Sequence, residues 1–384
     1  MKTAGVSLIL LVLCFISDDS RGHRARFREV SIAVGRGPRW ISVADVNHDG
    51  APGIVVANAE GETITVLLGD GAGQFHEPQG SPFAAGHLPN DIAIADMNGD
   101  GNPDLVIANH QSPYLRILLG DGKGGFRIAP GSPVDVHSDP HPHGVAVADF
   151  NGDGKRDAVT DSWGKNQIEL LAGDGKGGLV TPGRYFSVGR RPYERLRSAD
   201  FNHDGIPDVV TSNLDDGTVT VLLGDGKGDL RNAPGSPFTA GGKPWQMAVD
   251  DIDGDGNLDL VLIPYQRDIA SAAENAVSVL LGDRRGAFRP MPGSPLSLEG
   301  CRGANSVSAG DLTGNGEHVI AVACAESRTM MLFERQADRR FAMSSIPIKG
   351  GWGAITIAKL TRGRAGELIT ANADDGTITL YFSN

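Results

Sequence analysis

The chain has 384 residues and a formal net charge of −12, and this acidic balance argues against nucleic acid as a partner. Hydrophobic residues make up 40% of it, so the chain can build a large core and disorder is not indicated. Its 53 glycines and 22 prolines predict many short elements joined by turns.

Residues 1–22 are expected to form a secretory signal peptide. Lys2 gives a short basic start, and residues 6–16 are an apolar run that is too short to span a bilayer. No small-x-small cleavage site follows, so the cut point stays open. No later apolar run could cross a membrane, and we expect a protein that is secreted, periplasmic or held at the cell surface without membrane insertion.

An acidic segment then recurs along the chain. It reads ADVNHDGAPGIVVAN from Ala44, ADMNGDGNPDLVIAN from Ala95, ADFNGDGKRDAVTDS from Ala148, ADFNHDGIPDVVTSN from Ala199 and DDIDGDGNLDLVLIP from Asp250, with weaker copies from Gly310 and Ala358. The equivalent loop positions from Asp45 to Lys359 are separated by 51, 53, 51, 51, 60 and 48 residues. Seven copies at a near-constant period predict a repeat architecture.

Each copy predicts four antiparallel strands. One strand precedes the acidic loop, a second follows it, a third ends in a Gly-rich turn, and an irregular fourth completes the copy. The predicted fold is all-β: a seven-bladed β-propeller over residues 27–384. The last copy stops after three strands, at TITLYFSN, whereas FREVSIAVG from Phe27 matches a fourth strand. The N-terminal strand should therefore complete the last blade and remove the exposed sheet edge.

The loop pattern D-x-[ND]-x-D-G-x-x-D, repeated at blade spacing, resembles the FG-GAP/VCBS repeats of integrin α-chain propellers and of many secreted bacterial proteins. The resemblance covers about residues 27–384. It implies that Ca²⁺ bound in the loops stabilises the structure and takes no part in catalysis.

The residues themselves also favour Ca²⁺, which prefers oxygen ligands at loop positions 1, 3, 5, 7 and 9 with a glycine at position 6. An alternative is a set of Asx-rich turns, which leaves the acid at position 9 unexplained. Four loops are complete, and a fifth lacks the last acid because Gly53 replaces it. The candidate ligands are Asp45, Asn47 and Asp49; Asp96, Asn98, Asp100 and Asp104; Asp149, Asn151, Asp153 and Asp157; Asp200, Asn202, Asp204 and Asp208; and Asp251, Asp253, Asp255 and Asp259.

The last two copies depart from this pattern. The sixth keeps Asp311 but has Val319 at position 9, and the seventh begins with Lys359 and offers no plausible site. The pair Cys301 and Cys324 flanks one predicted hairpin of the sixth copy. A disulfide and two buried free thiols both remain open for this pair.

The face of the propeller opposite the acidic loops should carry the second-to-third turns and the connections between blades. All four tryptophans map to it, as do His87, His110, His137, His141 and His143. Aromatic rings beside amides suit sugars, and cations such as Arg190 and Arg191 would suit an acidic glycan or an acidic protein patch. The alternative is that each tryptophan fills a gap between blades. The candidate ligand-binding residues are Trp40, Asn90, His137, His141, His143, Trp163, Tyr193, Arg197, Trp245, Tyr265 and Trp352.

Two features of this face are unusual. If HSDPHPHG were extended, His137, Asp139, His141 and His143 would share one side and could hold a transition metal. Its prolines could also twist it into an ordinary rim loop. Arg197 stands where the other copies have small residues, and it would need a carboxylate partner if buried. Either it forms a salt bridge between blades or it delivers a charge into the central funnel, and one extra residue before Asp200 predicts a bulge.

We therefore expect a monomeric binding module for a carbohydrate or protein ligand. Two alternatives stay open: a polysaccharide lyase or hydrolase with its site in the funnel, and an adhesive or structural protein. The sequence assigns no catalytic residues and does not identify the ligand.

Overall fold

The computed structural model describes residues 27–265 and 275–383. The predicted signal peptide, residues 1–22, lies outside these residues. Seven antiparallel sheets follow one another along the chain. Their innermost strands contact one another in ring order, and the last contacts the first. The prediction of an all-β, seven-bladed propeller is confirmed.

The first strand of the chain, β1 (Phe27–Ala33), belongs to the last blade. Blades 1 to 3 follow in order. Blade 1 contains β2 Pro38–Ala44, β3 Gly53–Asn58, β4 Thr63–Gly69, β5 Phe75–His76 and β6 Phe83–Ala84. Blade 2 contains β7 Pro89–Ala95, β8 Asp104–Asn109, β9 Tyr114–Gly120, β10 Phe126–Ile128 and β11 Val134–Asp135. Blade 3 contains β12 Val145–Ala148, β13 Asp157–Ser162, β14 Gln167–Leu171 and β15 Arg184–Ser187, with a 3-10 turn at Trp163–Lys165.

Blades 4 to 7 complete the ring. Blade 4 contains β16 Pro192–Ala199, β17 Asp208–Asn213, β18 Thr218–Gly224, β19 Leu230–Asn232 and β20 Phe238–Thr239. Blade 5 contains β21 Pro244–Asp250, β22 Asp259–Pro264, β23 Ala276–Gly282, β24 Phe288–Pro290 and β25 Leu296–Ser297. Blade 6 contains β26 Ala304–Gly310, β27 Val319–Cys324, β28 Thr329–Arg335 and β29 Phe341–Pro347. Blade 7 contains β30 Ile355–Ala358, β31 Glu367–Asn372 and β32 Thr377–Ser383.

The second strand of every blade is buried along its whole length, from β3 to β31. Both of its faces are covered by neighbouring blades, which explains the nearly continuous apolar runs such as IVVA in β3 and LVLI in β22. The hydrophobic clusters accordingly lie between blades. One cluster packs Ile64 of blade 1 against Ile107 of blade 2, for example.

The fourth strand is interrupted in blades 1, 2, 4 and 5, where two short segments pair with the same third strand. A serine before a proline occupies each interruption. Its hydroxyl accepts a hydrogen bond from a backbone N–H of the third strand, as Ser132 does from Ile117 at 2.9 Å. Ser81, Ser236 and Ser294 make the same contact. The side chain thus replaces a missing backbone acceptor, and the repeated GSP sequence has a structural role.

The ring closes as predicted. β1 pairs with β32 from Phe27 opposite Ser383 to Ala33 opposite Thr377, and it completes blade 7. In blade 6, Cys301 and Cys324 form a disulfide with their Cα atoms 5.4 Å apart. Within the described ranges, we find no helix with the length and apolarity required to cross a membrane.

Candidate functional site

The acidic loops join the first and second strands of the blades, on the side that we call the loop face. In each complete loop the acid at position 1 accepts backbone hydrogen bonds from within the loop. Asp96, for example, accepts from Gly99, Asp100 and Gly101. The glycine at position 6 has positive φ in every complete loop, as at Gly101 (87°).

The side chains at positions 3 and 5 contact each other in the loops of blades 2 and 4. Asn98 Nδ2 lies 3.0 Å from Asp100 Oδ2, and Asn202 Nδ2 lies 2.9 Å from Asp204 Oδ2. In blade 5, one oxygen each of Asp251, Asp253 and Asp255 lies within 4.8 Å of the others. Because Ca²⁺ holds oxygens at about 2.3–2.6 Å, two of its ligands stand at most about 5 Å apart, so this donor set fits Ca²⁺.

The acid at position 9 has a structural role that sequence reasoning did not provide. Asp104 is fully buried, and its two oxygens accept hydrogen bonds from the N–H groups of Met97 and Gly120, both at 2.8 Å. It thereby ties the loop to the end of the third strand. The position 9 acids Asp157, Asp208 and Asp259 make equivalent pairs of bonds.

Blade 7 separates this structural role from metal binding. Its loop begins with Lys359 and lacks the acids at positions 1 and 5, yet Glu367 occupies position 9. Glu367 accepts hydrogen bonds from the N–H of Leu360 and the hydroxyl of Thr361. The acid at position 9 is therefore not evidence for Ca²⁺ by itself, and the fit to Ca²⁺ depends on positions 1, 3 and 5.

The electrostatics of the loops also favour a cation. Burial raises the pKa of Asp208 to about 6 and that of Asp259 to about 7, although backbone hydrogen bonds oppose the shift. The neighbouring loop acids raise both pKa values further. A divalent cation among these carboxylates would offset that repulsion.

The central channel is occupied by side chains from equivalent positions of the innermost strands. Trp40, Asp91, Gln246 and Ser306 share one register position, each opposite the fifth residue of its blade's second strand. Arg195 joins them: its guanidinium carbon lies 4.2 Å from the Trp40 ring centre, and its Nε donates to Gln246 Oε1 at 2.7 Å. Trp40 is half-buried and packs against Arg195 in the channel, and its role as a ligand-binding residue stays a prediction.

Arg197 fits both interpretations of the sequence. Its Nη1 lies 3.1 Å from Oδ2 of the buried Asp91, so one ion pair links blade 4 to blade 2 within the channel. Its guanidinium also lies 5.1 Å from the Trp40 ring centre. The predicted bulge is confirmed by the register shift between Pro192 and Leu196.

The face opposite the loop face, which we call the aromatic face, carries a row of touching rings. Ring centres lie 5.6 Å apart from Trp163 to Tyr193, 5.2 Å from Tyr193 to Trp245 and 4.6 Å from Trp245 to Tyr265. All four are half-buried. This aromatic row crosses blades 3, 4 and 5, as sequence reasoning expected of that face. Trp352 also stays accessible, at 41%, but none of the described ring pairs includes it.

Three histidines adjoin the row at Trp163. His110 follows β8, and His141 and His143 lie in the connection before β12. Their ring centres are 4.3 to 4.9 Å apart. Burial, then His143 and His141, lower the pKa of His110 to about 3, so its imidazole is neutral near pH 7.

Two residues predicted to belong to the ligand-binding set of this face, His137 and Asn90, lie apart from its histidine cluster or are buried. His137 is exposed, with a φ of 50°, and residues 136–144 form no strand, so of the two alternatives for this segment the extended one, with His137 and Asp139 on the side of His141 and His143, does not hold. Asn90 is 1% exposed, and its Nδ2 donates to the His143 carbonyl at 3.0 Å. It positions His143 and is not available to a ligand, which corrects the second prediction.

The cations of the aromatic face are less available than the sequence indicated. Arg190 Nε lies 2.6 Å from Asp216 Oδ1, and Arg191 Nη1 lies 3.6 Å from Asp215 Oδ1. Arg191 also stacks near Trp163 and Tyr193, at 5.2 and 5.1 Å from their ring centres. These ion pairs weaken the argument for an acidic ligand and leave the rings as the main contact surface.

Comparisons with known proteins agree with this architecture. A family model described as FG-GAP-like repeat matches residues 45–107, 96–160 and 200–262. Cartilage acidic protein 1 of Mus musculus is 30% identical over 188 residues, which cover 44% of this chain and 28% of that protein. The matched region is thus less than a third of that relative's length.

Two solved structures share the fold over most of the chain. BBS1N in complex with ARL6DN has a TM-score of 0.59 at 12% identity, covering 92% of this chain and 94% of that one. A lectin from Agrocybe aegerita is described as recognising non-reducing terminal N-acetylglucosamine. It has a TM-score of 0.54 at 17% identity, and the match covers 88% of this chain and 86% of that one. At these identities the likeness shows the fold alone.

Proposed function

Because the chain is an FG-GAP repeat protein with a seven-bladed β-propeller fold, we propose that it is a binding module whose aromatic face holds a carbohydrate. The aromatic row is the observation that carries this proposal. Four half-buried rings stand 4.6 to 5.6 Å apart across three blades, long enough to contact successive sugar units of a glycan. Aromatic platforms bury the apolar faces of sugar rings, and the neighbouring polar groups fix their orientation.

A glycan array tests the proposal, followed by titration calorimetry with the best ligand. Trp245→Ala removes a central member of the row, and we expect it to weaken binding at least about tenfold, the equivalent of about 1.4 kcal/mol. Trp352→Ala is the matched control, because it removes an accessible tryptophan outside the row. Equal losses in both variants, or no glycan signal with a folded protein, would contradict the proposal.

The proposal includes Ca²⁺ in the four complete loops, and a weaker site in the first loop, as a structural cofactor. Its support is the contact between positions 3 and 5 in blades 2 and 4 and the fit of Asp251, Asp253 and Asp255 to calcium–oxygen distances. The loops lie on the loop face, so Ca²⁺ would stabilise the blades without touching the ligand.

We also infer that the protein acts outside the cytoplasm. The support is the apolar N-terminal run of the sequence and the buried Cys301–Cys324 disulfide, a bond typical of oxidising compartments. Fractionation of the producing cells checks this: the mature chain should be found outside the cytoplasm and should start after residue 16. A cytosolic chain that keeps its N-terminus would contradict it.

An enzyme acting on polysaccharides is the second candidate, and one observation favours it. The His143–Asp161 pair lies beside Tyr193, whose ring centre is 4.1 Å from that of His143. A histidine–carboxylate pair is a common proton-transfer unit, but the His143 side chain has no exposed surface, so a substrate would reach it only if the neighbouring rings moved. Incubation of array-positive polysaccharides with the protein decides between the two candidates: shortened products would favour the enzyme, whereas intact polymer would favour the binding module.

A further inference from the structure

The three histidines beside the aromatic row are arranged as metal ligands. One ring nitrogen from each of His110, His141 and His143 lies within 4.8 Å of the corresponding atoms of the other two. His110 comes from blade 2, and the other two come from the connection into blade 3. Tetrahedral Zn²⁺ with Zn–N bonds of about 2.0–2.1 Å would place these nitrogens roughly 3.4 Å apart. His110 and His141 are half-buried, so rotations of their rings would bring the nitrogens closer to that spacing.

The cluster also contains ring nitrogens that the protein does not satisfy. Among the described residues, neither His110 Nδ1 nor His143 Nε2 has a hydrogen-bond partner, although both atoms are buried. The side chain of His143 has no exposed surface. A buried polar atom without a partner costs free energy, and such atoms call for an explanation such as a bound ion. A metal ion bonded to both nitrogens would remove this cost.

A supporting carboxylate fixes the orientation of His143. Asp161 Oδ2 lies 3.3 Å from His143 Nδ1, and Asp161 Oδ1 accepts hydrogen bonds from the N–H groups of His143 and Gly144 at 2.9 and 2.7 Å. Since a carboxylate accepts, Nδ1 carries the proton and Nε2 keeps its lone pair. Metal-bound histidines usually have such a carboxylate partner, which also makes the ligand more basic.

We propose that His110, His141 and His143 form a three-histidine site for a divalent transition metal of the zinc class. Imidazole nitrogens suit Zn²⁺ and its neighbours, whereas the oxygen-rich acidic loops suit Ca²⁺, so the two kinds of site select different ions. Three protein ligands leave a fourth coordination position for water or for an oxygen of a ligand. Trp163 and Tyr193 lie next to the cluster, so that position adjoins the aromatic row. The metal site itself does not depend on the ligand being a carbohydrate.

Titration with Co²⁺ and Zn²⁺ tests the site in the purified chain, with excess Ca²⁺ present to saturate the acidic loops. We expect one equivalent of Co²⁺ with the intense visible absorption of a low-coordinate nitrogen site, displaced by one equivalent of Zn²⁺. His110→Ala should weaken Zn²⁺ binding more than about 100-fold, and Asp161→Asn by about 10–100-fold. His137→Ala, an exposed histidine of the same connection, should leave binding unchanged.

Three results would overturn the proposal: no stoichiometric Co²⁺ binding, equal Zn²⁺ affinity in His110→Ala and in His137→Ala, or a Co²⁺ spectrum that is lost only when a loop acid is changed. His143 is fully buried, and its replacement could unfold the blade. His110 is half-buried at the end of blade 2, so the His110 variant keeps the test decisive even if a His143 variant does not fold.

Discussion

The Arg197–Asp91 pair shows how one residue can alter the centre of a propeller. Arg197 occupies a position where the other blades have Ser, Ala or Thr, and its charge reaches past blade 3 to an aspartate of blade 2. Asp91 is almost fully buried, whereas a quarter of the Arg197 side chain is exposed. We therefore expect the stability contribution of this pair to exceed that of a surface ion pair, which is small, and to fall below that of a fully buried pair, which is costly to break.

We predict that Arg197→Met destabilises the protein by about 2–3 kcal/mol, less than the 3–5 kcal/mol typical of a fully buried pair. The physical reason is that Asp91 would stay buried without its cation. Urea unfolding measures the loss. The double variant Asp91→Asn with Arg197→Met should recover part of it, because no charge would be left unpaired. A single variant within about 0.5 kcal/mol of the wild type would show that the pair contributes nothing.

Residues in this region also mark the limit of sequence reasoning. Asp161 was detectable in principle, because the equivalent positions of other second strands hold small or apolar residues such as Ala57, Ala108 and Ile263. The contact of His110 with His141 and His143 could not be detected in the sequence, because it depends on the packing of blade 2 against blade 3. Only the extended alternative for this segment would have placed His137 with His141 and His143, and the backbone of 136–144 is not extended.

At the scale of the element, the acidic loop combines two functions that the sequence presents as one. Positions 1, 3 and 5 carry the donors of the proposed cation site, and position 9 ties the loop to the third strand. Glu367 keeps the second function in a blade without the first. This explains why the ninth-position acid is buried in each complete loop.

We predict that removing Ca²⁺ lowers the melting temperature, because the carboxylates of four loops would repel one another without a cation. Differential scanning calorimetry with EDTA and then with added Ca²⁺ measures the effect. Asp255→Asn should reduce the number of bound Ca²⁺ by one in calorimetric titration. Glu367→Gln, the matched control from the blade without a site, should lower stability without changing that number. A melting temperature that EDTA does not move would refute the cation role.

The hairpin of β26 and β27 gives the second prediction at this scale. Cys301 and Cys324 are 23 residues apart and both are buried. Changing both to serine should lower the free energy of unfolding by about 2–4 kcal/mol, because the unfolded chain loses a cross-link. Chemical unfolding measures this, and a thiol assay on the denatured wild type should find neither residue reactive. Two reactive thiols in that assay would show that the pair is reduced.

The elements themselves were well predicted from the sequence, for a physical reason. Each second strand is covered on both faces, so its apolar run is continuous, and each acidic loop fixes where that strand begins. The interrupted fourth strands were expected to be irregular, but the role of the serine hydroxyl at the break depends on the third strand and could not be read from the repeat.

At the scale of the whole molecule, closure depends on β1. It pairs with β32 along seven residue pairs and forms the outermost strand of blade 7. Deletion of residues 27–33 should leave blade 7 with three strands and expose the edge of the long, mostly buried strand β32, which can template pairing with another chain. We expect a lower melting temperature and soluble aggregates in size-exclusion chromatography. A chain that begins at residue 27 is the control and should be monomeric, whereas a monomeric deletion variant of unchanged stability would refute the role of β1.

The same closure determines the orientation of the protein when it is immobilised on a surface. Phe27 and Ser383 are opposite each other in β1 and β32, at the edge of blade 7 that shares its side with the acidic loops. A tether, fusion partner or sensor-chip linker attached at Phe27 or Ser383 would consequently leave from the side turned away from Trp163 and Trp245. Molecules immobilised in this way would all present their row of rings to the solution.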